Sequence, residues 1–221
     1  MGIITALEVQ KRNKQRVSVY IDGEFAFGLS LLEAARLKKG QTLSEAEIAV
    51  LRGEDAVLQA VDRAANFLSY RPRTVQELRR NLTEKEIAPS VIDAAIERLT
   101  AMGYIDDAAF ARFWVENRSQ FKPLSKKALR FELRQKGVAD SIIQEVLDES
   151  DEGQQAYQAA SGHLRKLRGL NRRDFRLKMS AFLQRRGFSL NTTREVVDRL
   201  CDELEAEDPD IFNRMKNDDE E

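Results

Sequence analysis

One cysteine, one histidine and one tryptophan occur in the 221 residues. A single thiol, Cys201, cannot form an internal disulfide, which is typical of a reducing compartment. No stretch approaches the roughly 18 consecutive apolar residues of a transmembrane helix, and the first residues lack the basic and apolar pattern of a secretory signal. We therefore expect a cytoplasmic protein with no membrane partner.

Residues that carry most enzyme chemistry are equally scarce. His163 has no cysteine partner for a metal site and no evident serine partner for a catalytic triad. The glycine-rich motifs that cradle phosphates, Gly-x-x-x-x-Gly-Lys-Ser/Thr and Gly-x-Gly-x-x-Gly, are absent from the sequence. We therefore expect a protein that is not an enzyme and has no metal, cofactor or small-molecule substrate.

Two amphipathic helices in the middle of the chain organise the rest of it. Asp106 and Asp107 mark the start of the first helix, because carboxylates accept hydrogen bonds from the unpaired N–H groups of a first turn. Phe110, Phe113 and Trp114 follow at the spacing of one helical face. We expect these three aromatic side chains to lie in the core.

Pro123 separates this helix from the second one, which Ser125 caps and Gly137 ends. The apolar seam of the second helix is formed by Leu129 and Leu133, which we also assign to the core.

The second helix has one counterpart upstream and one downstream, at a period of about fifty residues. The seam aligns without gaps as Leu78 and Leu82, then Leu129 and Leu133, then Met179 and Leu183. The turn residue Gly137 matches Gly187, whereas Glu86 stands in the first copy. A fixed period of this length predicts stacked copies of one supersecondary unit. The predicted fold class is mainly α, with three tandem three-helix repeats that form an elongated curved array.

The N-terminal segment has a different pattern. Apolar residues alternate with polar ones on both sides of Asp22-Gly23, which is a strong β-hairpin signal. A strand from Ile3 to Val9, a short helix from Leu31 to Leu37 and a helix cap at Ser44 complete a small β-containing module. The predicted divisions are the module at 1–53, the repeats at 54–105, 106–149 and 150–203, and a frayed acidic tail at 204–221.

The middle repeat carries a resemblance to a known family. The motifs are Gly103-Tyr104-Ile105-Asp106-Asp107, Phe110-Ala111-Arg112 with Trp114 and Arg118, and the segment Leu129 to Val138. They are similar to motifs of the RecX family, bacterial regulatory proteins that act on the RecA recombinase. The resemblance covers roughly residues 54 to 203. Two positions depart from the family pattern: Pro123-Leu124 replaces a proline-glycine link, and Glu86 replaces a glycine.

The resemblance implies a non-enzymatic regulator that binds the RecA nucleoprotein filament. Such a protein would restrain the ATPase, strand exchange and filament growth of RecA in DNA repair and recombination, including the SOS response.

Basic residues are concentrated around the second helix of the second and third repeats. Lys126, Arg130 and Arg134 recur every four residues and form one stripe beside the apolar seam. The residues that we expect to contact a partner or nucleic acid are Lys122, Lys126, Lys127, Arg130, Arg134, Arg172, Arg173, Arg176, Lys178, Arg185 and Arg186. Their attraction to phosphates or carboxylates would be salt-sensitive.

Two other functions fit the same charges. One is weak, sequence-independent binding of single- or double-stranded DNA without RecA, and the other is docking on an acidic protein. Sequence-specific reading by a helix-turn-helix is disfavoured, because the third helix of repeat 2 would bring Asp140 and Glu145 to the phosphates.

Residues 202–221 carry a net charge of −8, and the rest of the chain carries +7. This tail is expected either to shield the basic residues between Arg172 and Arg186 from an anionic partner or only to solubilise the chain. Both interpretations stay open from the sequence.

Overall fold

Two units, Met1–Ile105 and Asp106–Glu221, make up the chain. The computed structural model describes residues 1–11 and 13–213. The first unit contains a sheet and one three-helix repeat, and the second contains two three-helix repeats. These elements confirm the predicted mainly α fold with a β-containing N-terminal module.

The sheet is antiparallel, with the strand order β3-β2-β1-β4. Its strands are β1 (Gly2–Val9), β2 (Arg16–Ile21), β3 (Glu24–Ser30) and β4 (Thr42–Leu43). Asp22 and Gly23 connect β2 to β3 with φ angles of +51° and +92°, as a two-residue hairpin turn with the twist of its strands requires. The predicted hairpin is therefore confirmed, whereas the sequence pattern gave no sign of the two-residue strand β4.

Helix α1 (Leu31–Ala34) is shorter than predicted, and helix α2 (Glu45–Leu68) follows β4. Ser44 and Glu47 form the predicted cap of α2, since the Glu47 N–H donates to Ser44 Oγ and the Ser44 N–H donates to Glu47 Oε2. The predicted division between residues 53 and 54 lies inside this continuous helix.

The sheet is joined to α2 by an ion pair between Arg16 and Asp55, in which Nη2 and Oδ2 are 2.8 Å apart. The Asp55 side chain is buried, and Gln59 also donates to its Oδ2. Because a buried carboxylate is stable only when it is paired and hydrogen-bonded, Arg16 holds the middle of α2 against the sheet, and Gln59 supports the carboxylate from the next turn of α2.

Each repeat is built from three helices. In the first unit they are the later part of α2, α3 (Val75–Thr83) and α4 (Pro89–Ala101). The second repeat consists of α5 (Asp107–Phe121), α6 (Lys126–Gln135) and α7 (Asp140–Asp148). The third consists of α8 (Glu152–His163), a 3₁₀ turn (Leu164–Leu167), α9 (Arg172–Arg185) and α10 (Leu190–Glu207).

The aligned seam residues are the centres of the three helical cores. Leu78, Leu82, Leu129, Leu133, Met179 and Leu183 all have an exposed fraction of 0%. Because deletion of a fully buried leucine side chain typically costs about 2–5 kcal/mol, the repeat seam observed in the sequence contributes strongly to the stability of each repeat.

One backbone conformation recurs after the second helix of each repeat. Glu86, Gly137 and Gly187 have φ angles of +59°, +81° and +90°. The N–H of the following residue then donates back to a seam leucine carbonyl, as for Val138 and Leu133 at 3.1 Å. This is the glycine-favouring end of a helix, and Glu86 adopts it despite its side chain.

Phe113 is 49% exposed, so its assignment to the core is wrong. At roughly 100° per residue, the buried face of α5 is centred between Phe110, Ala111 and Val115, and Phe113 lies about 130° from that centre. Trp114 is half-buried and stacks on the buried Phe110, with ring centroids 5.7 Å apart.

The first part of the predicted tail is ordered, which corrects the expectation of a frayed segment. Helix α10 continues to Glu207, and Phe212 then packs against Phe175 with ring centroids 5.3 Å apart. The remainder of the predicted acidic tail, 214–221, lies outside the described residues.

Candidate partner-binding surface

In repeat 2, the arginines of the predicted stripe contact the third helix of their own repeat. Arg134 Nε donates to Asp140 Oδ1 at 2.6 Å, and Arg134 Nη2 donates to Asp140 Oδ2 at 3.1 Å. The hydrogen bond from Arg134 holds the pKa of Asp140 below its usual value. Arg130 donates to the side-chain oxygen of Gln144 in the same way. The acidic third helix therefore balances part of the basic second helix.

The same pairing occurs in the third repeat. Arg172 forms an ion pair with Glu205 at 3.1 Å, and Arg176 forms one with Asp198. The hydrogen bond to Asp198 raises the pKa of the Arg176 guanidinium. These arginines thus join α9 to α10, as Arg130 and Arg134 join α6 to α7.

Repeat 1 uses an equivalent position. Arg79 and Asp93 form an ion pair between α3 and α4, and in the repeat alignment they correspond to Arg130 and Gln144. Exposed pairs of this kind contribute little to stability, because water and salt screen them. Their main effect here is to reduce the positive charge that Arg134, Arg172 and Arg176 offer to a partner, whereas Arg130 keeps its charge because its partner Gln144 is a neutral amide.

Six other predicted binding residues keep their charge. Within residues 1–11 and 13–213, no ion pair involves the side chains of Lys122, Lys126, Lys127, Arg173, Lys178 or Arg185. All are exposed except Lys126, which is half-buried. They lie at the end of α5, on the first turn of α6 and along the outer face of α9. These six residues leave positive charge outside ion pairs in repeats 2 and 3.

Arg186, the remaining predicted residue, connects repeat 2 to repeat 3 inside the second unit. Its Nη1 donates to the Pro123 carbonyl at 3.1 Å, and its own carbonyl accepts from the Ser125 N–H at 3.2 Å. Burial lowers the pKa of the guanidinium. A Cβ atom at Gly187 would lie 2.5 Å from Ser125 Oγ, so the close approach of the two segments also depends on this glycine.

Trp114 is held by a polar cluster that sequence reasoning missed. Its Nε1 donates to Glu132 Oε2 at 2.8 Å, and Arg118 Nε donates to the same oxygen at 2.7 Å. The Arg118 guanidinium lies 4.5 Å from the Trp114 ring centroid, and Lys136 Nζ lies 5.2 Å from it. Cations at this distance are attracted to the ring, so the cluster fixes α5 to α6. The sequence feature that could have indicated this cluster is Glu132, an acidic residue within an otherwise basic helix.

No group of three or more His, Cys, Asp or Glu side chains in the described part of the chain is arranged to hold a metal ion. Over the same residues, no helix has the length and apolar character needed to cross a membrane.

Four family profiles match the chain in sequence order. They are the regulatory protein RecX N-terminal domain at residues 2–44 and the first, second and third three-helix domains of RecX at 60–99, 106–147 and 150–197. The matched segments coincide with the sheet module and with the three repeats.

Similar proteins carry the same description. A regulatory protein RecX from Lactobacillus delbrueckii subsp. bulgaricus is 35% identical over 94% of this chain and 78% of its own length. One from Bacillus subtilis is 31% identical over 90% of this chain and 78% of its own length. Among solved structures, a crystal structure of regulatory protein RecX has a TM-score of 0.72 and 28% identity, and covers 90% of this chain and 100% of that chain.

Proposed function

This chain belongs to the RecX family, and from that premise we propose that it binds the RecA nucleoprotein filament and restrains the ATPase, strand exchange and filament growth of RecA. Regulation is the description that the family carries, and the action on RecA is our extension of it to this chain. Its partner is a DNA-containing filament, so the protein needs an interface for anionic surfaces.

The observation that carries this proposal is the division of the basic residues into paired and unpaired ones. Lys122, Lys126, Lys127, Arg173, Lys178 and Arg185 are left without ion pairs in the described residues, and all lie in repeats 2 and 3. Carboxylates or phosphates on a filament would provide counter-charges for them, which gives binding that is steered and salt-sensitive.

Charge reversal tests this assignment. Lys127→Glu, Arg173→Glu and Lys178→Glu together should weaken binding to RecA filaments and make the remaining affinity less dependent on salt. A matched control carries Lys38→Glu, Lys39→Glu and Lys85→Glu, which change the net charge equally at exposed positions of the first unit. Equal affinity of the two variants would contradict the proposal, since total charge rather than the named surface would then decide binding.

Direct, sequence-independent binding of DNA is the second candidate, because the same six cations attract phosphates whether or not RecA is present. Retention of single-stranded DNA by the protein alone at physiological salt would favour it. Retention only in the presence of RecA would favour the first candidate.

A further inference from the structure

A cleft between the second and third repeats has features that the basic residues described above do not explain. It has a volume of about 460 Å³ and lies within the second unit. Phe121 and Pro123 line it from repeat 2, and His163, Lys166 and Phe182 line it from repeat 3. Arg186, which joins the two repeats, lies in its wall.

The cleft has an excess of positive charge. Lys166 and Arg186 line it, and Glu116 is the acid among its lining residues in the described part of the chain. The pKa of His163 is lowered by burial and by the nearby charges of Lys166, Arg185 and Arg186. Arg186 uses one N–H group for the Pro123 carbonyl, and a guanidinium has five such donors. An anion in the cleft would therefore find both charge and hydrogen-bond donors.

Flat aromatic groups lie beside these cations. His163 and Phe182 stack with ring centroids 3.8 Å apart and an interplanar angle of 3°. Phe121, the last residue of α5, is 77% exposed although it lines the cleft. An exposed phenylalanine contributes almost nothing to the core, but next to cations it is a surface on which a nucleic-acid base can stack.

We propose that this cleft binds one nucleotide of single-stranded nucleic acid, with its base stacked on Phe121 and its phosphate bound by Lys166 and Arg186. The volume lies within the range of about 300–1,000 Å³ that is usual for pockets that take small organic groups. A run of acidic side chains would satisfy the cations but offers no flat ring to the exposed phenylalanine, whereas a nucleotide carries a phosphate and a base and fits both features of the cleft.

The test uses the full-length protein and DNA without RecA, so its failure is distinguishable from a failure of the proposed regulation. Binding of a short fluorescent oligothymidylate is compared with binding of an abasic strand that has the same number of phosphates. Phe121→Ala should weaken oligothymidylate binding by roughly tenfold, as loss of one base–aromatic stack does, and should leave abasic binding unchanged. Lys166→Gln should weaken both.

Phe131→Ala is the matched control, because Phe131 is 61% exposed on α6 and does not line the cleft. Phe121→Tyr should restore oligothymidylate binding, and circular dichroism checks that each variant is folded. The proposal is overturned if Phe121→Ala binds oligothymidylate as the parent does, or if Phe131→Ala has the same effect. It is also overturned if polyglutamate displaces the oligonucleotide at equal charge concentration, which would identify a general site for acidic chains.

Discussion

Arg134 and Asp140 are joined across the Gly137 turn by two hydrogen bonds, of 2.6 and 3.1 Å. A cation of the second helix is thereby matched to a carboxylate of the third helix, within a single repeat. The same kind of match joins Arg176 to Asp198 in the third repeat. These matches reduce the positive charge of the second helices, and our proposal therefore places the partner surface at the cations that are not in ion pairs.

The first prediction concerns the pKa of Asp140. Its carboxyl pKa is lowered in the folded protein, first by the Arg134 hydrogen bond, so the pair stabilises the fold above the unfolded-state pKa, and that stability is lost as pH falls through the folded-state pKa. Arg134→Gln should raise the pKa of Asp140 toward its usual value. Carboxyl chemical shifts in an NMR titration measure this, and an unchanged pKa would show that the pair does not persist in solution.

The second prediction concerns His163, whose folded-state pKa is lowered mainly by burial. The unfolded state then binds more protons in this range, so stability should fall as pH drops below the ordinary histidine pKa of about 6.5. His163→Gln should remove that part of the pH dependence. Denaturant unfolding of both proteins at pH 7.5 and pH 5.5 measures the difference. Because His163 is the one histidine of the chain, its imidazole titration is also observed without overlap.

The third prediction concerns the turn position that Glu86 shares with Gly137 and Gly187. A non-glycine residue at this positive φ costs about 1–2 kcal/mol of stability. Glycine avoids that cost, but its greater conformational freedom in the unfolded chain offsets part of the gain in stability. Glu86→Gly should therefore raise the free energy of unfolding by about 1 kcal/mol. Gly187→Ala should instead lower the free energy of unfolding, because the φ angle of Gly187 is +90° and an added Cβ would lie 2.5 Å from Ser125 Oγ. A loss of stability in Glu86→Gly would contradict the account of the turn.

The fourth prediction concerns Trp114. Its ring stacks on Phe110, and its Nε1 donates to Glu132, so Trp114→Ala should lower the free energy of unfolding by about 3 kcal/mol. Trp114→Phe keeps most of the packing and should cost less. Tryptophan fluorescence provides the second measurement: a water-like emission that single-stranded DNA quenches would show that Trp114 is a binding residue instead.

Much of this fold follows from local patterns in the sequence. The seam residues Leu78, Leu129 and Met179 predicted three repeats, because they align at a fixed period of about fifty residues, and all three are buried. Asp22-Gly23 predicted the hairpin, because few residues tolerate two consecutive positive φ angles. The fourth strand was missed, since two residues are too few to show a period.

The candidate surface was predictable only in part. The basic stripe was visible in the sequence, but its pairing with α7 depends on where the turn at Gly137 directs the next helix. Phe113 was assigned to the core because residues three apart lie within about 60° of each other around a helix. The sequence does not show on which side of Phe110 the buried face extends. The cleft was not predicted at all, because Phe121 and Lys166 come from different repeats and meet only after the second unit has folded.

RecA-dependent ATP hydrolysis on single-stranded DNA tests the proposed regulation most directly. The protein is added at ratios well below one per RecA, together with the Lys127→Glu, Arg173→Glu, Lys178→Glu variant and its charge-matched control. We expect the parent and the control to lower the steady-state rate with a salt-sensitive effect, and the variant to lower it much less. A rate that the parent protein leaves unchanged at every ratio, on DNA that is saturated with RecA, would contradict the proposal that this chain restrains the RecA filament.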